Sequence, residues 1–210
     1  MGNSMQHWNG NQLCCIDCET TGLDPTLHEI IQICILPLDA NSNIRRDIIP
    51  FNICMKPDKP ETIDPVAMTV HKKTMLKIMN DGFDRETAKD LLETWIKKLD
   101  LPVSKFSKLP KRIKPLGHNY AFDMMFIRSW LGIDLYNEIF DHRFMDTMII
   151  AQYLNDRAAM HGLDPIYFKL KLGWIAAKEG VDIERAHDAL SDCVTCAKIY
   201  HKFIKQGFLA

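Results

Sequence analysis

The 210-residue chain predicts an α/β or α+β fold in one domain. Three features carry that prediction. Three apolar, strand-like runs follow one another within residues 13–57, helical spacing takes over further along, and short strand-like runs recur between the later helical segments. Strands that succeed each other without an intervening helix imply an antiparallel meander.

In chain order, "LCCIDCE" (13–19) reads as a buried strand that ends in the turn "TTGLDP". "HEIIQICILPLD" (28–39) is a second, Ile-rich strand, and Asn41 and Ser42 mark a turn before a third at 47–57. Residues 61–79 are irregular and then weakly helical. Ala88, Leu91, Leu92, Trp95 and Leu99 recur at helical spacing over 85–99, one apolar stripe of an amphipathic helix. The proline-punctuated, basic segment 102–115 reads as a loop, and 113–120 as a short strand or its exit. "FDMMFIRSWLG" makes a helix ending near Gly132, and "FMDTMIIAQYL" (144–154) begins as a strand and turns helical. Two further helical stretches lie at 172–179 and from 187 to about 206.

Composition narrows the functional classes. A formal charge of -1 argues against a protein that coats nucleic acid through a broad basic surface, but leaves room for one that grips a few nucleotides. Seven cysteines, an odd number scattered through apolar runs, suit reduced thiols better than a disulfide framework. No apolar run approaches the roughly 18 residues of a membrane span, and the N-terminus lacks a signal peptide's apolar stretch. Its Met-Gly start has Gln6 where myristoylation wants Ser or Thr. A cytoplasmic, intracellular protein with no membrane association is the resulting expectation.

Polar residues inside apolar runs are the candidates for chemistry. Asp17 and Glu19 stand two apart on the first strand, so they share a face and can hold one ion between them; they can equally be wet acids at a strand end. Asp123 stands at the start of a helix, where it can cap that helix or complement its dipole. In "HDALSD", His187 and Asp192 sit five apart at the start of the last helix, with Asp188 placed to help start it. Each signal alone is ambiguous.

Their combination is not. An Asp-x-Glu strand, an Asp in a middle helix and His-x4-Asp at the last helix resemble the DEDDh 3′–5′ exonucleases of the ribonuclease-H-like superfold. The similarity runs through "IDCETTGLDPTLHEIIQI", "IDPVAMTVHKKT", "HNYAFDMMFI", "FMDTMIIAQYL" and "AHDALSDCVTCAKIY", covering about residues 13–202. The stretch 155–175 departs from the pattern, lacking the family's usual Ser-Leu. The resemblance implies a mixed five-stranded sheet, its first three strands antiparallel, flanked by helices, with 1–12 as an extension and 13–206 as the exonuclease domain.

It also implies a site. Asp17, Glu19, Asp123 and Asp192 would hold two Mg²⁺ or Mn²⁺ ions, hard cations that take oxygen ligands. His187 would be the general base, since a histidine's ordinary pKa of about 6.5 suits proton transfer near neutrality. Thr20, Thr21, Gly22 and Leu23 would receive the 3′-terminal nucleotide of a single-stranded nucleic acid, with Gly22 supplying a positive φ and Asn119 holding the neighbouring loop. Relatives are often homodimers. Lys105, Lys108, Lys111, Arg112 and Lys114 form a run without acids that could guide a strand or simply be solvated.

Three other possibilities arise. "CIDC" (15–18) and "CVTC" (193–196) have zinc-like spacing, but residues 15 and 18 of a strand face opposite sides. The fold could also serve as a catalytically silent nucleic-acid-binding module, or as an endonuclease.

Overall fold

The computed structural model describes residues 10–71, 73–104 and 110–206. Its centre is a five-stranded sheet in the order β3-β2-β1-β4-β5. β1 (Gln12–Thr20), β2 (Ile30–Pro37) and β3 (Phe51–Cys54) pair antiparallel, whereas β4 (Ile113–Gly117) and β5 (Met145–Asp146) join parallel to β1 and to each other. The expected mixed sheet is the observed one. β2, "IIQICILP", is buried along its whole length because helices cover both faces, which is why its sequence barely alternates.

One face of the sheet packs under α3 (Arg85–Lys97), α4 (Tyr120–Leu131) and α5 (Ile133–Ile139). Cys14, Ile16 and Cys18 point into that layer with Leu92, Phe126 and Tyr136. Leu13 and Cys15 point the other way, onto α8 (Ala189–Gln206) and its Ala189, Cys193 and Cys196. A smaller cluster ties α6 (Thr147–Met160) and α7 (Leu172–Glu179) to α8 through Ala151, Ile175 and Ile199.

Several elements differ from expectation. The third strand is four residues, not eleven: Pro50 has no N–H to pair, and Met55 bridges away to Phe83. Residues 61–79 contain a 3-10 turn and two short helices, α1 (Pro65–His71) and α2 (Met75–Asp81). Helix α5 has no counterpart in the sequence pattern. Seven residues are too few to hold a helix by themselves, and packing supplies the rest: Tyr136 is fully buried and its hydroxyl meets that of Tyr120 at 3.0 Å.

Asp146 is the polar hinge of this half of the molecule. Its carboxylate caps α6 by accepting from Met148 N at 2.8 Å, and also accepts from Asn119 N and Tyr120 N at 3.0 and 2.8 Å. One buried side chain thus starts two helices, and through α4 it places Asp123. Asp146→Ala removes a cap and strands buried N–H groups, an expected loss of about 3 kcal/mol of stability. Urea unfolding measures it; a loss under about 1 kcal/mol would mean that water replaces the carboxylate.

Candidate active site

The site forms where β1 outruns its neighbour. Pairing of β1 with β4 stops at Cys15–Leu116, so the last residues of β1 have no partner on that side. Crevices at the carboxyl ends of parallel strands are where open α/β sheets bind ligands. On the β2 side the register slips between Glu19 and Thr20, a bulge that ends regular pairing at the same place. Asp17 and Glu19 lie on the face that carries Cys15, towards α8. The first turn of α8 brings Asp192 to meet them. One carboxylate oxygen from each of Asp17, Glu19 and Asp192 lies within 4.8 Å of the others. Among the described residues these form the one group of three or more acidic, His or Cys side chains close enough to share an ion.

Asp123 reaches the same crevice from the opposite layer. It is not the cap of α4, a position held by Asn119 in a left-handed conformation, but sits a turn further in, 4% exposed. Its Oδ1 accepts from Cys18 N at 2.8 Å, the strand amide freed where β1 and β4 part. Asp123 therefore stands beside the carboxylate trio rather than within it.

His187 precedes α8 by two residues instead of opening it. Its backbone is left-handed (φ 62°), its side chain is exposed, and its N–H donates to Asp192 Oδ2 at 3.1 Å. Asp188 does more than start the helix. It pairs with Lys73 at 3.2 Å, and Gln32 accepts from Ala189 N at 3.3 Å, so β2 and the α1–α2 connection both hold the loop that carries His187.

The electrostatics fit a cation site. Burial, then the charges of Asp123, Glu19 and Asp192, push the Asp17 carboxyl well above its ordinary range. Burial and Asp192 raise Glu19 to about 7, against the lowering effect of Lys73. Burial also raises Asp123 and Asp192. Several carboxyls crowded out of water with a single lysine near them are poorly compensated, and a divalent cation would supply the missing positive charge. The donors are all hard oxygens, as Mg²⁺ and Mn²⁺ prefer. Beside the acids opens a cavity of about 860 Å³, lined by Leu23, Asn119, Phe122, Trp174, His187 and Asp192 among others.

The exonuclease family model RNase_T matches residues 14–200 of this chain. The chain belongs to the DEDDh exonuclease family. Among curated proteins, DNA polymerase III PolC-type of Thermotoga maritima is 23% identical over 194 residues, 90% of this chain. The chain spans only 12% of that polymerase's length. Oligoribonuclease of Aliivibrio fischeri is 25% identical over 151 residues, covering 69% of this chain and 75% of the relative. Two solved structures share the fold. E. coli exonuclease I in complex with a dT13 oligonucleotide superposes with a TM-score of 0.70 at 19% identity, over 91% of this chain and 40% of that one. Cell-death related nuclease 4 gives 0.72 at 20% identity, over 96% and 66%.

Around this exonuclease-family site the remaining residues fall into two groups. Thr20 and Thr21 are buried and committed to the turn: Thr20 Oγ1 donates to Gly22 O at 2.7 Å, and Thr21 Oγ1 accepts from Glu29 N at 2.9 Å. Gly22 is required by close approach rather than by backbone conformation. It is not among the positive-φ glycines, but a Cβ there would lie 2.3 Å from the His28 ring. Leu23 and Asn119, by contrast, are exposed and line the cavity.

The described residues of the basic run form no patch at the site. Lys114 is buried within β4, and Lys111 and Arg112 are half-buried at that strand's N-terminal end, roughly 16 Å of strand from the crevice. Lys105 and Lys108 lie outside the described residues. The zinc spacing also finds no site. All seven cysteines are free; Cys15 and Cys18 face opposite layers, and Cys193 and Cys196 are buried core residues of α8. Among the described residues no helix is long and apolar enough to cross a membrane.

Proposed function

We propose that this domain is a metal-dependent 3′–5′ exonuclease that trims single-stranded DNA or RNA and releases nucleoside 5′-monophosphates. The observation that carries the reading is the convergence of Asp17, Glu19 and Asp192 oxygens within 4.8 Å, beside the buried Asp123, in a chain of the exonuclease family. That E. coli exonuclease I has been solved with a single-stranded oligonucleotide supports the substrate class.

In this reading the four acids hold two divalent ions, Mg²⁺ or Mn²⁺. When bound, such ions activate a water molecule and stabilise the departing 3′-oxygen. The protein does the rest. Asp17, Glu19, Asp123 and Asp192 give up their protons on binding cations, so affinity rises with pH through the range where Glu19 titrates, about 7. His187 accepts the proton of the attacking water. The water oxygen bonds to phosphorus, the P–O3′ bond breaks, the departing O3′ takes a proton from solvent to leave a 3′-hydroxyl on the shortened strand, and the terminal nucleotide departs with the phosphate. Asp192, which accepts from the His187 N–H, fixes the start of the histidine's loop relative to the acids. Leu23 packs on the terminal base and Asn119 lines its pocket, while Thr20, Thr21 and Gly22 shape the turn that presents them. All of these residues lie on one chain, so the reading needs no second copy.

Incubating the protein with 5′-labelled single-stranded DNA and RNA and Mg²⁺ should give a ladder shortening from the 3′ end, and EDTA should abolish it. A substrate bound but never cut would indicate the silent binding module instead. Cleavage of a circular single strand would indicate an endonuclease.

A further inference from the structure

The exonuclease reading places one nucleotide at the acids but leaves the strand behind it without a path. Trp174, on the first turn of α7, supplies a feature for that role. It is 54% exposed although large and apolar, and it belongs to the stretch 155–175 that departs from the family pattern. It lines the 860 Å³ cavity that holds Asp192 and His187, and also a second cavity of about 310 Å³ with Phe168, Lys169 and Lys178. Trp174 therefore borders both cavities. Phe168 beyond it is 80% exposed, and Leu23 and the half-buried Phe122 lie on the side of the acids.

Cations accompany these apolar surfaces. Lys169, Lys171 and Lys178 are exposed along the same edge, and Lys169 Nζ sits 4.2 Å from the centre of the Trp174 ring. An acidic centre repels a polyanion, so a strand approaching it needs positive charge close by. Aromatic faces alternating with lysines are what a single strand requires, since bases stack and phosphates pair. A duplex offers no free base faces and gains only the phosphate pairing from such a surface.

We infer that Trp174 and the lysines beside it form a binding track for the bases and phosphates of a single strand immediately 5′ of the terminal nucleotide. This rests on the exonuclease reading. A base arriving on the Trp174 ring displaces Lys169, whose ammonium then pairs with the adjoining phosphate. Trp174 is thereby a specificity-determining residue for strand length and single-strandedness, acting through binding rather than at the scissile bond.

The test compares fluorescein-labelled oligothymidylates of two and eight nucleotides by anisotropy, with Ca²⁺ replacing Mg²⁺ to slow hydrolysis. The native protein should bind the longer strand more tightly. Trp174→Ala should weaken that strand's binding roughly tenfold and largely erase the gain with length, whereas Trp174→Phe should keep most of it. Lys169→Ala with Lys171→Ala should flatten the salt dependence, each lost phosphate contact reducing the slope by about 0.7. In the native protein the longer oligonucleotide alone should quench tryptophan fluorescence, a readout that does not depend on how the alanine variant folds. If native protein trims the longer strand but Trp174→Ala binds it as tightly as native, the track is wrong and the exonuclease reading stands. If native protein neither binds nor trims either strand, both fail.

Discussion

Asp17→Asn should reduce hydrolysis by on the order of a thousandfold or more, about 4 kcal/mol of transition-state stabilisation, while leaving the protein folded. The amide keeps the shape of the side chain and removes the charge that a cation needs. Asp17 lies between Glu19, Asp123 and Asp192, each of which pushes its carboxyl upward in addition to burial. Without metal, this crowding destabilises the fold. Glu19 shows the sign: its folded value of about 7 exceeds its ordinary value of 4.5, so its contribution to stability is fully present below pH 4.5 and is lost as pH rises through 7. The metal-free native protein should therefore melt progressively lower from pH 5 to 8, and Mg²⁺ or Mn²⁺ should restore the loss most at pH 8. Asp17→Asn removes one repelling charge and should raise the metal-free melting temperature at pH 8 by roughly 3–6 °C, while shrinking the increment that Mg²⁺ gives. Calorimetry with and without EDTA measures all of these. An unfolded Asp17→Asn protein would show instead that the acid is structural.

His187→Ala should lower kcat by roughly 10²- to 10⁴-fold, the usual contribution of a positioned general base. The expectation rests on placement. His187 is exposed at the rim of the cavity that Asp192 lines, and its own N–H is tied to Asp192. Its ring is not one of the clustered metal donors, so the melting-temperature increment from Mg²⁺ should survive the substitution. That combination, binding kept and turnover lost, separates a base from a ligand. Near-normal turnover in His187→Ala would remove the histidine from the mechanism.

Much of this site was legible because its parts obey short periods. Asp17 and Glu19 share a face by the two-residue repeat of a strand, and Ala88, Leu92 and Trp95 bury one stripe of α3 by the helical repeat. The TTGL turn and the helix end at Gly132 were visible as local chemistry too. Gly22 shows the limit of such reading. A glycine in a turn suggests backbone freedom, but the cause is the His28 ring packed against its α-carbon, a contact six residues along the chain that no turn rule contains. Asp146 is a stronger case. Nothing local distinguishes it from any helix cap, yet it also binds two amides 26 and 27 residues upstream.

What the sequence determined by itself is the long strands and helices, though not α5 or the bounds of β3, the order of the acids along the chain and their family. Side-chain period and residue type act over a few residues, and that range suffices for strands, long helices and a motif. Tertiary structure decided which of those acids meet. The parting of β1 from β4 opens the crevice, and α8 brings Asp192 against Asp17 and Glu19. It sets Asp123 to the side on Cys18 N, and it leaves Lys111 and Arg112 at the far end of β4. Distances of this kind depend on how layers pack across more than a hundred residues of chain. The physical cause is burial: helices close both faces of the sheet wherever apolar surface can be covered, and the acids are left where the strand pairing ends.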